Sequence, residues 1–229
     1  MLMAASRATG AAVPVIATPA GWTEAIQAGA TSNQKGPRVA IFYKLNAASE
    51  SSPVAVSLVT DTNSDMFAVL AEYSGVATSS ALDVTASASS DTATTTGDTG
   101  TTSGTAVAEE LVLVLIANAQ DNTQATPANG GTATYGTALA ERAEATSGAA
   151  LAVNKVNGCY IDGITSVAGT VRVTDTISAS GRPFGGVAAT FKVAGGGTTY
   201  TKAGTAVAAV VTSGPDVFEA VKAGMAVCD

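Results

Sequence analysis

One pattern in the sequence has the residue types and the spacing of a metal site. Asp61, Asn63 and Asp65 reproduce the D-x-N-x-D opening of a calcium-binding loop, and Glu72 falls at the twelfth position. The sixth position needs glycine for a sharp turn, but it is Met66, and the residues after it alternate like a strand that would carry Glu72 away. The pattern therefore favours an Asp/Asn-rich hairpin turn, with a calcium site at Asp61, Asn63 and Asp65 as the weaker interpretation.

Two pairs of glutamates are the other groups from which acid–base chemistry could be built. A glycosidase needs two carboxylates held roughly 5–10 Å apart across a cleft, with a raised pKa on one of them. Glu109 and Glu110 are adjacent, so in a strand they would point to opposite faces. Glu141 and Glu144 flank Arg142 in a segment that we expect to be exposed. Both pairs are therefore interpreted as solvated surface charge, and a hydrolase is the least favoured class.

Histidine and cysteine, which serve in activated nucleophiles and soft metal sites, are scarce in this chain. Among its 229 residues there is no histidine, which excludes a Ser-His-Asp or Cys-His nucleophile and a His-liganded zinc site. Two cysteines cannot form an all-cysteine zinc site. Cys159 lies in Asn157–Tyr160, which reads as a turn, and a disulfide to the penultimate residue, Cys228, stays open, with two unrelated thiols as the default. The sequence predicts no enzyme and no cofactor.

Charge and hydrophobicity also limit the partners. The chain has 11 basic and 18 acidic side chains, and its net charge of −7 argues against a nucleic-acid binder. The longest apolar run is Leu111–Ala117, which is far shorter than the roughly 20 residues of a membrane-spanning helix. The N-terminus lacks a basic region before its apolar residues, so we expect no secretory signal.

Trp22, which follows Pro19-Ala20-Gly21, is the one residue that suggests a ligand platform. An exposed tryptophan can stack on the face of a sugar ring, as in carbohydrate-binding modules. A single tryptophan is more often mostly buried, so a loop-anchoring role is the favoured interpretation and a sugar platform the alternative.

The elements that would position these residues are strands. Short apolar and β-branched runs alternate with Gly, Ser, Thr, Asn and Asp clusters, which is typical of an all-β antiparallel sandwich. Leu139–Ala145 fits either a short helical turn or a strand, and the polar stretches 87–104 and 118–133 read as long surface loops or linkers. The strands that we predict are 39–45, 54–60, 66–73, 111–117, 170–178 and 186–193.

The sequence pattern changes at Gly195-Gly196-Gly197. This change divides the chain into a sandwich domain, residues 1–194, and a C-terminal repeat arm, residues 195–229. The segment 202–207 (KAGTAV) recurs as 222–227 (KAGMAV). About 35 residues are too few for an independent core, so we expect the arm to pack on the domain or on a neighbouring subunit. The residues that we assign to assembly contacts are Lys202, Gly204, Val207, Phe218, Gly224 and Val227.

A series of landmarks over roughly Leu2–Val193 resembles a known family. The domain resembles the jelly-roll-type β-sandwich of tail, appendage and head-associated bacteriophage proteins and of some bacterial surface proteins. The arm is similar to the Gly-Ala-Val repeats appended to phage structural proteins. The landmark segments are 18–23 (TPAGWT), 38–44 (RVAIFYK), 71–76 (AEYSGV), 82–84 (LDV), 110–116, 139–143 (LAERA), 178–184 (SASGRPF) and 188–192 (AATFK).

The resemblance implies a bacteriophage virion structural protein, a head-decoration or tail-associated module that assembles in many copies. Its partners would be other virion proteins and copies of itself, and its location the virion, after assembly in the host cytoplasm. Members of the family usually have a further strand before the position of Leu2, so an open sheet edge and strand donation between subunits are expected. The alternative is a carbohydrate-binding adhesin module on a virion or cell surface, which rests on fold analogy.

Overall fold

The computed structural model describes residues 1–8, 13–29, 31, 36–47, 54–59, 64–104, 108–119, 127–147, 155–177 and 181–195, and the backbone of 201–210 and 218–220. Throughout these ranges the regular structure is β-strand, every named pairing is antiparallel, and no helix occurs. The predicted all-β class is confirmed. No helix in the described part of the chain is long and apolar enough to cross a membrane.

The strands form two five-stranded sheets and two smaller ones. Sheet 1 has the order β14-β5-β1-β3-β2, sheet 2 has the order β10-β11-β8-β13-β6, and β7-β12-β9 and β15-β4 form the others. In chain order the strands are β1 Leu2–Ala8, β2 Thr23–Gly29, β3 Arg38–Tyr43, β4 Val54–Val56, β5 Ser64–Ser74, β6 Leu82–Thr94, β7 Thr96–Asp98, β8 Leu111–Ala119, β9 Ala128–Asn129, β10 Thr134–Thr146, β11 Val156–Val167, β12 Val173–Thr176, β13 Arg182–Phe191, β14 Thr201–Val210 and β15 Phe218–Ala220.

Sheets 1 and 2 pack face to face, which confirms the predicted sandwich. The main core lies between them, because alternate residues of each sheet point inward, such as Met3, Phe67, Leu113 and Val187. Further apolar clusters cover the outer faces of both sheets. On sheet 1 the cluster consists of Leu2, Ala4, Ile16, Ala40, Phe42, Val56, Met66 and Ala68. On sheet 2 it consists of Val112, Val114, Ile116, Ala133, Cys159, Ile161, Val171, Val173 and Ala188.

Burial on both faces explains the apolar sequence of β8. All nine residues of β8 are buried, as expected for the apolar run that forms it. The predicted alternation in 170–178 is also confirmed, because Val171, Val173 and Asp175 are buried and Arg172 and Thr174 are only half-buried. Only Val173–Thr176 of that segment forms a regular strand.

Three expectations from the sequence are wrong. The polar stretch 87–104 is not a long loop, because β6 and β7 take up much of it and β6 pairs with β13. Ser and Thr are suited to such a strand, since β6 is an edge of sheet 2 and half-exposed. Leu2–Ala8, to which no strand was assigned, forms β1 in the middle of sheet 1, between β5 and β3.

The third error concerns Asn157–Tyr160, which is part of β11 and not a turn. Gly158 was interpreted as a turn residue, but close packing between the sheets is the reason for a glycine at this position. A Cβ at this position would lie 2.6 Å from Cζ of Phe67 in sheet 1 and 2.9 Å from the backbone oxygen of Ile116 in β8. Gly186 in β13 has the same role on the other face, where a Cβ would lie 2.1 Å from the backbone oxygen of Asp98. These glycines permit the close approach of the layers.

Candidate functional site

Three of the predicted assembly residues, Lys202, Gly204 and Val207, lie on an edge strand of sheet 1. β14 is the edge strand of sheet 1 and pairs with β5 from Thr201, opposite Ser74, to Val210, opposite Met66. Lys202 lies opposite Tyr73 and Gly204 opposite Glu72, with an irregularity between them, and Val207 lies opposite Val69. The arm therefore completes sheet 1 by adding a strand to its edge.

The later part of the arm returns to another surface of the same sheet. Phe218 lies in β15, opposite Val56 in β4. Val56 belongs to the cluster that covers the outer face of sheet 1. Gly224 and Val227 lie outside the described residues, as does the second copy of the repeat. The structure thus brings four of the six assembly residues to sheet 1 and its cover.

The calcium pattern is partly described. Asp61 and Asn63 lie outside the described residues, and Asp65 is a buried residue near the start of β5. Ser147 Oγ lies 3.4 Å from Asp65 Oδ2, and burial raises the pKa of Asp65. The continuous strand β5 carries Glu72 away from Asp65, as predicted. Among the described residues no group of three or more His, Cys, Asp or Glu side chains could hold a metal ion.

Trp22 and Cys159 are both packed into the protein. Trp22 is half-buried and lies against the outer cluster of sheet 1, after a turn in which its backbone nitrogen donates to Pro19 O over 3.0 Å. Cys159 is fully buried in β11, and its Sγ donates to Asp175 Oδ2 over 3.2 Å. Burial and the Asp175 carboxylate raise the pKa of this thiol, so the reactive thiolate is disfavoured. Cys228 lies outside the described residues.

A hydrogen-bonded cluster around Asp162 links the two sheets at the side where β5 and β10 face each other. Asp162 Oδ2 accepts from Tyr73 Oη at 2.5 Å and from Tyr160 Oη at 2.9 Å, and Oδ1 accepts from Arg142 Nε at 2.5 Å. Asp162 is only 4% exposed. Burial and the Asp162 carboxylate raise the pKa of Tyr73 far above its usual value, so its phenol remains a donor. We call these four residues the Asp162 cluster.

Three residues of the Asp162 cluster, Tyr73, Arg142 and Asp162, line a small cleft. Its volume is about 110 Å³, and Thr137 and Arg142 supply polar side chains at its wall. Tyr73 reaches it from sheet 1, whereas Asp162 and Arg142 belong to adjacent strands of sheet 2. Such a cleft has room for a small polar group. The lining residues are Tyr73, Leu111, Thr137, Arg142, Asp162, Gly163 and Ile164.

A second acidic cluster surrounds Glu110. The side chain of Glu110 is fully buried, so the interpretation of this residue as solvated surface charge is wrong. Burial and the neighbouring Asp83 carboxyl raise the pKa of Glu110 to about 7, while Thr190 and Lys192 act in the opposite direction. Lys192 Nζ lies 3.0 Å from Asp83 Oδ1. We call these four residues the Glu110 cluster.

The buried location of Glu110 follows from β8 and its two partner strands. The Glu110 backbone nitrogen donates to Thr165 Oγ1 over 2.8 Å, and Thr165 N donates to Glu110 O over 3.0 Å. These bonds hold the residue directly before β8 against β11. Neither carboxyl oxygen of Glu110 has a hydrogen-bond partner of good geometry in the described part of the chain. Burial without a donor is the physical reason why its ionised form is disfavoured.

The other predicted glutamate pair lies on β10. Glu144 is exposed and accepts from Asn157 Nδ2 over 3.1 Å, whereas Glu141 is half-buried and has its pKa raised by burial and by Glu144. Arg142 between them donates to Asp162 and therefore belongs to the Asp162 cluster. A lone acid inside the apolar run 160–164 (YIDGI) was the available signal for Asp162, but its partners lie up to 89 residues away in sequence.

Comparisons with family models, with curated proteins and with solved structures gave no match to this chain. The fold and the geometry described above therefore define its class: a layered, antiparallel β-sandwich whose C-terminal segment forms an edge strand.

Proposed function

We propose that this protein is a structural protein of the bacteriophage virion, a head-decoration or tail-associated module that works in many copies. Its mechanism is passive: copies attach to one another and to other virion proteins through sheet edges and the C-terminal arm. It acts without catalysis and without a cofactor. It is assembled in the host cytoplasm and remains in the virion.

The observation that carries this proposal is the pairing of the arm with sheet 1. The arm contributes an edge strand along β5 in sheet 1 and a second short strand on β4 in the two-stranded sheet, so it pairs with the domain at two places. Adding a strand to a sheet edge is a general way for one chain to bind another. A protein whose last segment already binds in this way is suited to holding neighbouring copies together.

The polar interior supports a structural role. Asp162 is tied to Arg142, Asp83 to Lys192, and Asp98 to Arg172, whose Nη2 lies 2.5 Å from Asp98 Oδ2. Each of these acids therefore has a cation that compensates its charge within the fold. The net charge of −7 favours protein partners over nucleic acid.

Light scattering on the purified full-length protein, followed by binding to virus particles that lack it, tests the proposal. We expect a concentration-dependent rise in mass and saturable binding to the particles. A protein that stays monomeric up to high concentration and does not bind such particles would overturn it. Asp162→Asn, which destabilises the domain and leaves the arm unchanged, shows how much binding is lost through unfolding alone.

A second candidate, a carbohydrate-binding adhesin module, is favoured by the cleft at the Asp162 cluster. An aromatic ring, a guanidinium and a hydroxyl around about 110 Å³ are the groups that bind a small polar ligand such as a sugar. A glycan array with the parent protein, Thr137→Ala and Trp22→Ala separates the two surfaces. Specific binding lost in Thr137→Ala supports the cleft, binding lost in Trp22→Ala supports the platform, and absence of binding overturns this candidate.

A further inference from the structure

The strand β5 has the burial of a central strand, not of an edge strand. Its residues from Ser64 to Val69 are all buried, and Ala71 is 1% exposed. One side of β5 pairs with β1 and the other side pairs only with β14. Without β14, a row of backbone groups beside buried side chains would lose its hydrogen-bond partners. An uncovered β5 is therefore costly, and some strand must cover it.

The segment that covers β5 follows the last strand of the domain, β13. The domain ends beside the end of β5, where Ala194 N donates to Gly75 O over 2.8 Å and Val193 pairs with Val76. In the sequence, the triplet Gly195-Gly196-Gly197 and three further residues connect this point to β14. Both acceptor strands, β5 and β4, belong to the first third of the chain, whereas the arm follows β13 of sheet 2.

We propose that β14 is exchanged between copies, so that the arm of one copy pairs with β5 of a second copy in the register seen here within one chain. This inference deepens the proposed function by naming the surface, the β5 edge, and the partner, a second copy. The exchanged pairing forms the same backbone hydrogen bonds as the pairing within one chain, so little free energy separates the two at high concentration. High local concentration on a particle favours the exchanged form.

The short hinge constrains the geometry of the exchange. Six Cα–Cα steps separate Gly195 from Thr201, which span at most about 20 Å. The β5 edge of the accepting copy must therefore lie within about 20 Å of the point where the donating arm leaves its domain. Two copies that exchange arms reciprocally form a closed dimer, whereas one-way exchange continues from copy to copy and forms an open array.

Disulfide capture between differently tagged copies tests the exchange. Ser74 and Thr201 are opposite each other at the start of the β14–β5 pairing, and Ser74 is exposed. One copy carries Ser74→Cys and the other carries Thr201→Cys, both with Cys228→Ser, and the two are expressed together and oxidised. A disulfide between the tags can form only when an arm crosses from one copy to the other. The control replaces Thr201→Cys by Thr101→Cys, at an exposed position of the domain.

We expect the mixed disulfide to exceed the Thr101→Cys control by at least tenfold. A mixed disulfide at the level of the control overturns the exchange. This conclusion holds even when a single chain that carries both Ser74→Cys and Thr201→Cys forms the disulfide internally. Light scattering on the same samples separates this result from the proposed function. Multi-copy assemblies or particle binding without the mixed disulfide overturn only the exchange, whereas monomers that also fail to bind particles overturn both.

Discussion

Two buried acids at sheet 2, Asp162 and Glu110, have opposite hydrogen-bonding environments. Asp162 is 4% exposed and accepts hydrogen bonds from Tyr73, Tyr160 and Arg142. Glu110 is 0% exposed, and its carboxyl oxygens have no donor of good geometry among the described residues. Burial alone therefore does not decide the ionisation state of an acid. The hydrogen-bond donors around the carboxyl group determine whether its ionised or its protonated form is stabilised.

The two acids also lie on different sides of sheet 2. Asp162 points between the sheets, where Tyr73 of β5 reaches it, so its hydrogen bonds join the two halves of the sandwich. Thr190, beside Glu110, alternates with Ala189 and Phe191 of the main core and therefore lies on the outer face. The Asp162 cluster connects sheet 1 to sheet 2, whereas the Glu110 cluster lies on the outer face of sheet 2.

The largest expected effect is that of Asp162→Asn. The amide nitrogen of asparagine would face hydroxyl and guanidinium donors, and the Arg142 cation would lose its counter-charge, so we expect a loss of about 3 kcal/mol of unfolding free energy. Urea denaturation at pH 7 measures it. Glu72→Gln, which changes an exposed acid of β5, is the control and should differ little from the parent. Equal stability of parent and Asp162→Asn would show that the cluster does not join the sheets.

The second expected effect is the pH dependence caused by Glu110. Its pKa is about 7 in the folded chain and 4.5 ordinarily, so the folded state binds this proton more tightly. Its contribution to stability is therefore fully present below about pH 4.5 and is lost as the pH rises through about 7, by about 3 kcal/mol. Glu110→Gln should match the parent at low pH and exceed its unfolding free energy by that amount at pH 9.

Denaturation curves from pH 4 to pH 9 check this expectation, and the difference between parent and variant isolates Glu110 from the other acids. Glu109→Gln removes the same formal charge at the neighbouring position and is the matched control. A parent and a Glu110→Gln variant with parallel pH profiles would mean that Glu110 does not titrate differently in the folded and unfolded chains.

A smaller effect is expected for Tyr73→Phe. This change removes one of the three donors to Asp162 and leaves Tyr160 and Arg142 in place, so we expect a loss of about 1 kcal/mol. Urea denaturation measures it, and the double variant with Asp162→Asn should lose less than the sum of the two single changes. Strict additivity would indicate that Tyr73 and Asp162 do not interact.

The smallest effect is expected for Lys192→Met. Lys192 lies 3.0 Å from Asp83 but is partly exposed, so its ion pair contributes about 0.5 kcal/mol. Because the Lys192 cation opposes the shift at Glu110, its removal should raise the Glu110 pKa further, and Asp83→Asn should lower it. Carbon-13 NMR titration of the glutamate carboxyls measures both changes. Shifts in the same direction for the two variants would contradict this assignment.

Apolar periodicity was sufficient to predict the sandwich, but it did not predict the polar strands. The runs that form β3, β5, β8 and β13 were visible because their side chains are apolar and β-branched. β6 was missed because Ser and Thr resemble a loop when the strand is a half-exposed edge. Gly158 produced a turn signal because composition does not reveal that Phe67 packs against it.

The Asp162 cluster could not be assembled from the sequence. Its members lie at positions 73, 142, 160 and 162, and only the pairing of β11 with β10 and the packing of sheet 1 on sheet 2 bring them together. The sequence did predict that a strand would carry Glu72 away from Asp65, and the continuous strand β5 confirms it. Local alternation is read directly from sequence, whereas contacts between sheets depend on topology.

The position of β1 has a consequence for the order in which the protein can fold. Sheet 1 places β1 between β3 and β5 and takes its last strand, β14, from residues 201–210. A ribosome must therefore release almost the whole chain before the sheet that begins with Leu2 is complete. Contacts so distant in sequence slow folding. During synthesis the β5 edge is therefore the last position of sheet 1 to be filled.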